Sequence, residues 1–259
     1  MSDFKFKKKY GQNFLVDKNI VSKIVEDIDI LPDALAIEIG CGDGRLTSKL
    51  CEKFDYVLGY EIDEEVKEEL FSNLSDYSNF SIIFDDFLKR DISADIGDYS
   101  NIYIIANLPY YITTPIIEKL TDSNINFNLM RLMVQKEVGE RFSAKVGTKN
   151  YGSITVYLNY NYEIRKNFIV SRNSFYPKPN VDSMIITLIS KEKCLVKNED
   201  IFYKLIRDSF RYKRKTLKNN LKEYNLDVVE KVLKKYGFDL SVRAENLDVK
   251  VFCDIANSL

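Results

Sequence analysis

The chain contains no histidine. That absence removes the imidazole general base and every catalytic triad built on one. The four cysteines, Cys41, Cys51, Cys194 and Cys253, lack metal-ligand spacing, so no metal site is expected and the thiols read as reduced. No apolar run approaches the roughly 18 residues of a membrane span, so no membrane partner is expected. The first residues, Met1-Ser2-Asp3-Phe4-Lys5-Phe6-Lys7-Lys8-Lys9, lack the apolar core of a signal peptide, and a cytoplasmic protein is expected. Neither sign of charge dominates: 38 basic and 39 acidic residues leave a net charge of −1. A globally basic RNA binder is excluded, whereas a local basic patch is not.

What is present begins with a strand-like run, Ala34-Leu35-Ala36-Ile37-Glu38-Ile39, followed at once by Gly40-Cys41-Gly42-Asp43-Gly44 and a helix start at Arg45. Strand, glycine-rich turn and helix make a nucleotide-binding βα unit. The G-x-G-x-G spacing is not the G-x-G-x-x-G of a pyrophosphate site. Glu61 lies 21 residues after Gly40, at the end of the strand-like run Tyr56–Tyr60, where an acid can hold both hydroxyls of a ribose. A third run, Phe80–Phe84, ends in Asp85-Asp86, suited to an adenine edge. A fourth, Ile102–Ala106, ends in Asn107-Leu108-Pro109-Tyr110. Taken singly, each acid reads as a helix cap and the Asn-x-Pro-Tyr as a turn. Four such groups at successive strand ends, in this order, read as an S-adenosylmethionine site.

Asn107-Leu108-Pro109-Tyr110 suits the gripping of an amine on a flat π-system. The Asn107 side-chain oxygen accepts one N–H and the Leu108 carbonyl the other. Pro109 fixes the turn, and Tyr110 offers a ring face to a base.

The 259 residues suffice for a large domain and a small one. Alternating strand and helix patterns up to Ser190 predict an α/β domain with a parallel sheet. A fifth strand is expected at Leu129–Gln135, then a helix near Glu137–Phe142. Ile154–Tyr160 and Ser183–Ile189 read as a closing antiparallel pair, with Phe175–Asn180 a loop by its two prolines. From Lys191 onward the pattern is helical. The expected division is 1–190, a catalytic domain, and 191–259, a small helical domain. Within the latter, Lys204–Lys222 holds eight basic residues against one acid, Asp208. Plotted as a helix, or as two broken near Tyr212, it carries an apolar stripe inward and a basic stripe outward. A merely solvated face mixes signs, so Arg207, Arg211, Arg214, Lys215 and Lys218 are expected to meet phosphates.

Together these residues resemble the rRNA adenine N6-dimethyltransferases, nearly end to end, and within them the bacterial small-subunit branch. Lys9-Tyr10-Gly11-Gln12-Asn13-Phe14-Leu15 is similar to the family's N-terminal methyl-donor motif. Glu38–Gly42 is similar to its first glycine motif, and Glu61-Ile62-Asp63 to its ribose acid and neighbour. Asn107–Tyr110 is similar to its catalytic motif. Gln135–Val138, Tyr151-Gly152 and Pro179–Ser183 look like later landmarks. Phe210 with Arg214-Lys215-Thr216, and Arg243–Leu247, resemble its C-terminal domain. The resemblance implies a Rossmann-like class I methyltransferase fold, S-adenosylmethionine as donor and no metal. It implies a monomer whose partner is 16S rRNA in the 30S subunit or its precursor, and whose reaction dimethylates two adjacent adenosines near the 3′ end. Asn13, Leu15, Gly40, Gly42, Glu61, Ile62, Asp86 and Asn107 would hold the donor, and Tyr110 and Phe175 would sandwich the base. Two positions depart from the pattern: Cys41 stands where Pro is usual, and Tyr111 where Asn is usual. The rivals are an Erm-like 23S rRNA methyltransferase and a non-catalytic RNA-binding assembly factor. Leu108 and Arg243–Leu247 favour the small-subunit branch over the first. The intact Asn107 and glycine loop argue against the second.

Overall fold

The computed structural model describes residues 13–123 and 125–259. The segment Lys9–Gln12 of the N-terminal motif lies outside them. Among the described residues the strands are β1 (Phe14–Leu15), β2 (Ala34–Ile39), β3 (Tyr56–Glu61), β4 (Phe80–Phe84), β5 (Asn101–Asn107), β6 (Leu129–Gln135), β7 (Tyr162–Val170), β8 (Phe175–Tyr176) and β9 (Ser183–Ser190). Seven of them form one sheet in the order β4-β3-β2-β5-β6-β9-β7.

β2 pairs in parallel with both β3 and β5, and the parallel set extends to β4 on one side and β6 on the other. The order therefore reverses between β2 and β5. The carboxyl ends of β2, β3, β4 and β5 share one edge, which is where open α/β sheets bind ligands. Every residue of β2 is buried, as expected for a strand covered on both faces. β9 closes the sheet antiparallel to β6, with Ser183 opposite Gln135.

The contacts divide the chain into two units. The first holds the described residues up to Gly139 together with Arg165–Ser190. The second holds Glu140–Ile164 and Lys191–Leu259. The excursion 140–164 thus joins the second unit, which a single boundary at 190 does not provide for.

In the first unit, helices Lys18–Val25 and Arg45–Cys51 bury Val21, Ile24, Leu46 and Leu50 with Val57, Tyr103 and Ile105 of the sheet. Asp17 starts the first of these helices by accepting from the Asn19 N–H at 3.0 Å. A buried cation crosses this core. Arg131 of β6, 4% exposed, donates to Thr187 Oγ1 (3.2 Å) and to the Ile24 carbonyl (3.0 Å), and pairs with Asp27.

The second unit has its own core, in which Val156, Tyr160, Phe202, Leu205, Leu217, Leu221, Val232 and Phe252 are buried. Here the expectation of a strand at Ile154–Tyr160 is overturned: Ser153–Asn161 is a helix. Its β-branched and aromatic residues fit a strand by propensity. Val156 and Tyr160 are also four residues apart, and as a helix they insert together into this core, so packing overrides propensity. The edge position that segment was expected to fill is taken by β7.

Of the two readings of the basic segment, the structure takes the one with two helices broken near Tyr212. Its first helix, Glu199–Ser209, is capped by Asn198 and ends before the arginine cluster; a short helix, Leu217–Asn220, resumes later. Asn220 explains the break. Its side chain donates to the carbonyls of Ser209 (2.7 Å) and Tyr212 (3.3 Å) and accepts from the Tyr212 N–H (3.2 Å). The Ser209 carbonyl is thereby satisfied by a side chain instead of by a continuing helix.

Candidate active site

A cleft opens at the shared carboxyl edge of β2, β3, β4 and β5, with about 1060 Å³ of space including its mouth. Asn13, Leu15, Gly40, Gly42, Glu61, Ile62 and Asp86 line it. So do Asn107, Leu108, Pro109, Tyr110 and Tyr111, at and after the end of β5. Residues spread over nearly a hundred positions of sequence thus meet in one cleft.

The glycine loop is built for close approach. Gly40 and Gly42 sit at φ +82° and +55°, and a Cβ on Gly42 would lie 2.8 Å from Phe14 Cε1. Neither position accepts another residue without strain. Cys41 takes the place of the usual proline comfortably. Its thiol is buried and donates to the Tyr60 carbonyl at 3.7 Å, in space left by Gly59, where a Cβ would collide with it. Burial pushes this thiol well above the ordinary cysteine range, so it packs as an inert small group.

Glu61 ends β3 and is 7% exposed. Its carboxylate accepts from the N–H groups of Gly42 (2.8 Å), Ile62 (2.9 Å) and Asp63 (2.9 Å). Burial raises this carboxyl above the usual glutamate range, and the three backbone donors pull against that rise. A carboxylate has about four acceptor sites, so about one is left for a ligand hydroxyl while these bonds stand. Ile62 is half exposed at the rim. Asp86 caps a 3-10 turn through Leu88 N (3.0 Å) and lies 3.5 Å from Lys89 Nζ. The neighbouring Asp85 is steadied by Arg90 (3.6 Å), which also pairs with Asp95.

At the end of β5, the Asn107 amide nitrogen donates to the Asn13 carbonyl at 3.2 Å. That bond settles which way the amide faces and keeps its oxygen as the acceptor. The Leu108 N–H is tied to the Met133 carbonyl at 3.1 Å, and Pro109 holds φ at −59°. The peptide between them is therefore fixed on both sides. Tyr110 enters a 3-10 turn, its hydroxyl 2.5 Å from Ser183 Oγ; burial raises the phenol above its ordinary range. Tyr111 is 55% exposed at the mouth.

Phe175 departs from its expected place. It pairs with Leu15 in the β1–β8 ladder, is 3% exposed and packs in the core with Val170 and Ile185. The sandwich of a base between Tyr110 and Phe175 is not assembled in this structure. Phe14 and Glu38 also line the cleft, without a role expected from the sequence. Glu38 is 1% exposed and lies against the buried Thr47 hydroxyl. Burial raises its carboxyl well above the glutamate range. An acid inside the otherwise apolar run of β2 was the available signal.

In the second unit, Arg207, Arg211, Arg214, Lys215 and Lys218 are all exposed. Arg207 stands on the helix Glu199–Ser209, the next three in the irregular turn, and Lys218 on the short helix. Lys204 and Lys213 are drawn aside. Lys204 is 3.2 Å from Asp208, and Lys213 Nζ donates to the Lys149 carbonyl at 2.5 Å.

A family model described as ribosomal RNA adenine dimethylase matches residues 3–259. The chain is 42% identical to the ribosomal RNA small subunit methyltransferase A of Geobacillus kaustophilus, over 99% of this chain and 92% of that one. It is 39% identical to the protein of the same name from Clostridium acetobutylicum, over 99% and 95%. Among solved structures, it is similar to a dimethyladenosine transferase from Plasmodium falciparum, with TM-score 0.80, 30% identity, and 93% and 95% of the two chains covered. The fold is also that of the 23S rRNA methyltransferase ErmE, with TM-score 0.77 and 23% identity over 95% and 99% of the chains.

Proposed function

The chain belongs to the ribosomal RNA adenine dimethylase family, and from that premise we propose that it transfers methyl groups from S-adenosylmethionine to N6 of two adjacent adenosines near the 3′ end of 16S rRNA. The observation that carries this reading is the pair of acceptors at the end of β5. The Asn107 oxygen is held in place by the bond from its amide to Asn13, and the Leu108 carbonyl follows directly on it.

The donor supplies an electrophilic methyl on a sulfonium. The chain's own residues prepare the nucleophile. Adenine N6 is a poor one because its lone pair is delocalised into the ring. Accepting one N–H at Asn107 Oδ1 and the other at the Leu108 carbonyl favours a pyramidal nitrogen with a localised pair. That pair forms the new N–C bond in line as the S–C bond breaks, leaving a neutral thioether, and the surplus N–H proton departs to solvent. Positioning supplies most of the acceleration, in keeping with a chain that has no histidine. Tyr110 offers a ring to the flipped base. On the donor side, Glu61 takes a ribose hydroxyl and Asp86 the adenine edge, with Asn13, Leu15, Gly40, Gly42 and Ile62 shaping the walls.

The first unit is the catalytic one in this reading. The second brings Arg207, Arg211, Arg214, Lys215 and Lys218 to RNA phosphates of the 30S subunit or its precursor. The enzyme works as a cytoplasmic monomer, and no step above calls on a metal. No helix among the described residues is long and apolar enough to cross a membrane.

The test is to incubate the protein with labelled S-adenosylmethionine and undermethylated 30S subunits, then map the label. Dimethylation of two adjacent adenosines near the 16S 3′ end is expected. Label on 23S rRNA alone, when 50S subunits are offered beside them, would overturn the target.

A further inference from the structure

We propose that Tyr176 is the platform on which a nucleobase neighbouring the target adenine stacks. The inference rests on the reading of the cleft as an RNA methylation site.

Tyr176 is 61% exposed, a large aromatic held in water by a strand of only two residues. The β1–β8 ladder sets its direction. Phe14 stands opposite Tyr176 and Leu15 opposite Phe175, in antiparallel pairing. Side chains directly opposite in such a ladder share a face. Leu15 and Phe175 take the inward face, at 7% and 3% exposure. Phe14 and Tyr176 take the other, and Phe14 is a wall of the cleft against the Gly42 loop. The alternation that hides Phe175 in the core therefore presents Tyr176 beside the site.

Its position is also held relative to the acceptor end. From Tyr176 the chain runs to Ser183, whose Oγ is 2.5 Å from the Tyr110 hydroxyl. Just before Ser183, the Asp182 carbonyl accepts from Lys136 N (2.9 Å) and its carboxylate from Arg172 N (3.0 Å). The connection is thus fixed at both ends, by the ladder and by this cluster. Tyr111, exposed and next in sequence to Tyr110, continues an aromatic rim around the acceptor end.

The occupant follows from the chemistry. An adenine drawn into the cleft leaves its stack, and its neighbour loses a stacking partner. Every base has a π-face, so an exposed ring beside the cleft receives that neighbour whatever its identity. Such a stack contributes about 1–3 kcal/mol per base, or roughly 5- to 150-fold in affinity.

The experiment compares wild type, Tyr176→Leu and Tyr176→Phe in methyl transfer to undermethylated 30S subunits. Leucine keeps apolar bulk without a π-face; phenylalanine keeps the ring. Tyr176→Leu is expected to raise KM for subunits by about 5- to 150-fold, with donor affinity unchanged, and Tyr176→Phe to match wild type. A second arm uses subunits whose 16S 3′ segment is ligated in with an abasic nucleotide beside a target adenosine, on each side in turn. At one of the two positions the abasic RNA should cost the wild type as much as Tyr176→Leu does, and the combination should cost nothing further. A wild-type KM for Tyr176→Leu, an equal defect in Tyr176→Phe, or losses that multiply at both positions would each overturn the platform. A wild type that transfers no methyl to 30S subunits would instead overturn the site reading, and the platform with it.

Discussion

The cleft of the first unit and the basic stripe of the second hold polar groups in opposite ways. In the cleft, nearly every functional atom is fixed by backbone. Glu61 accepts three N–H groups, the Asn107 amide is anchored on Asn13, and Leu108 is tied to Met133. In the stripe, Arg207, Arg211, Arg214, Lys215 and Lys218 stand in solvent, and Arg211 lies over the ring of Tyr212, 5.8 Å away. Fixed acceptors are specific, and displacing one by an ångström disables it. Mobile cations supply attraction that is shared among them and screened by salt. The difference teaches where substitutions should be severe and where they should be graded.

The severest effect is expected at Asn107. Asn107→Ala removes one of two acceptors for the target amine, and a loss of about 10²–10³ in the methyl-transfer rate is expected, the size found for a single preorganised hydrogen-bond partner. Donor affinity should stay within about twofold, because the contact is to the acceptor base. Single-turnover kinetics with saturating subunits separates the two. An unchanged rate would mean that the amine is gripped elsewhere, and the cleft would lose its claim to specificity.

Glu61 comes next. With about one acceptor site left beside its three backbone bonds, Glu61→Ala should weaken donor binding by about 1.5–3 kcal/mol, or roughly 10- to 150-fold. Calorimetry with S-adenosylmethionine measures this directly, and an unchanged affinity would remove Glu61 from the donor site. Acidity offers a second handle. Burial raises the Glu61 carboxyl, and the protonated form gives up an acceptor. Donor affinity should therefore hold above the raised value and fall as pH drops through it, at a higher pH than an ordinary glutamate would require. For the fold the sign is opposite. A raised folded-state value contributes stability below the unfolded value that is lost as pH rises through the folded one, so the ionised site costs the native state.

The same contrast explains what could be read from the sequence. The lining of the cleft was legible because its residues hang on the ends of strands that announce themselves. β2, β3, β4 and β5 are short, largely apolar runs; Glu61 and Asn107 are the last residues of β3 and β5, and Gly40 and Asp86 come within two residues of the ends of β2 and β4. In a parallel sheet, strand ends share an edge, so local pattern became three-dimensional proximity. The second unit offered no such rule. Ile154–Tyr160 fits a strand and a helix alike, and a core formed with residues some fifty positions and more further on decides for the helix. The basic segment reads as one amphipathic helix or as two broken near Tyr212; what periodicity does not contain is the cause of the break, the Asn220 side chain reaching back to the Ser209 carbonyl. Phe175 failed for a related reason. A one-residue choice of face in a two-residue strand sends Phe175 inward and Tyr176 outward, and only the pairing with β1 makes that choice.

The smallest expected effect belongs to the stripe, taken one residue at a time. Because the helix breaks after Ser209, the five cations do not form a rigid ladder and should act as separable phosphate contacts. Arg211→Gln should then weaken 30S binding only severalfold at moderate salt, while lowering the slope of log affinity against log salt by about 1. Lys218→Gln should do the same, and the two losses should add, since mobile charges share no fixed geometry. Donor affinity should not change in either, as both residues belong to the second unit and the residues lining the cleft to the first. Filter binding of 30S subunits across a salt series reads the slope. A slope untouched by both substitutions would return these side chains to ordinary solvated surface. A loss in Arg211→Gln as large as that expected for Asn107→Ala would mean that this cation, too, is held in a fixed site, and the contrast between the two units would fall.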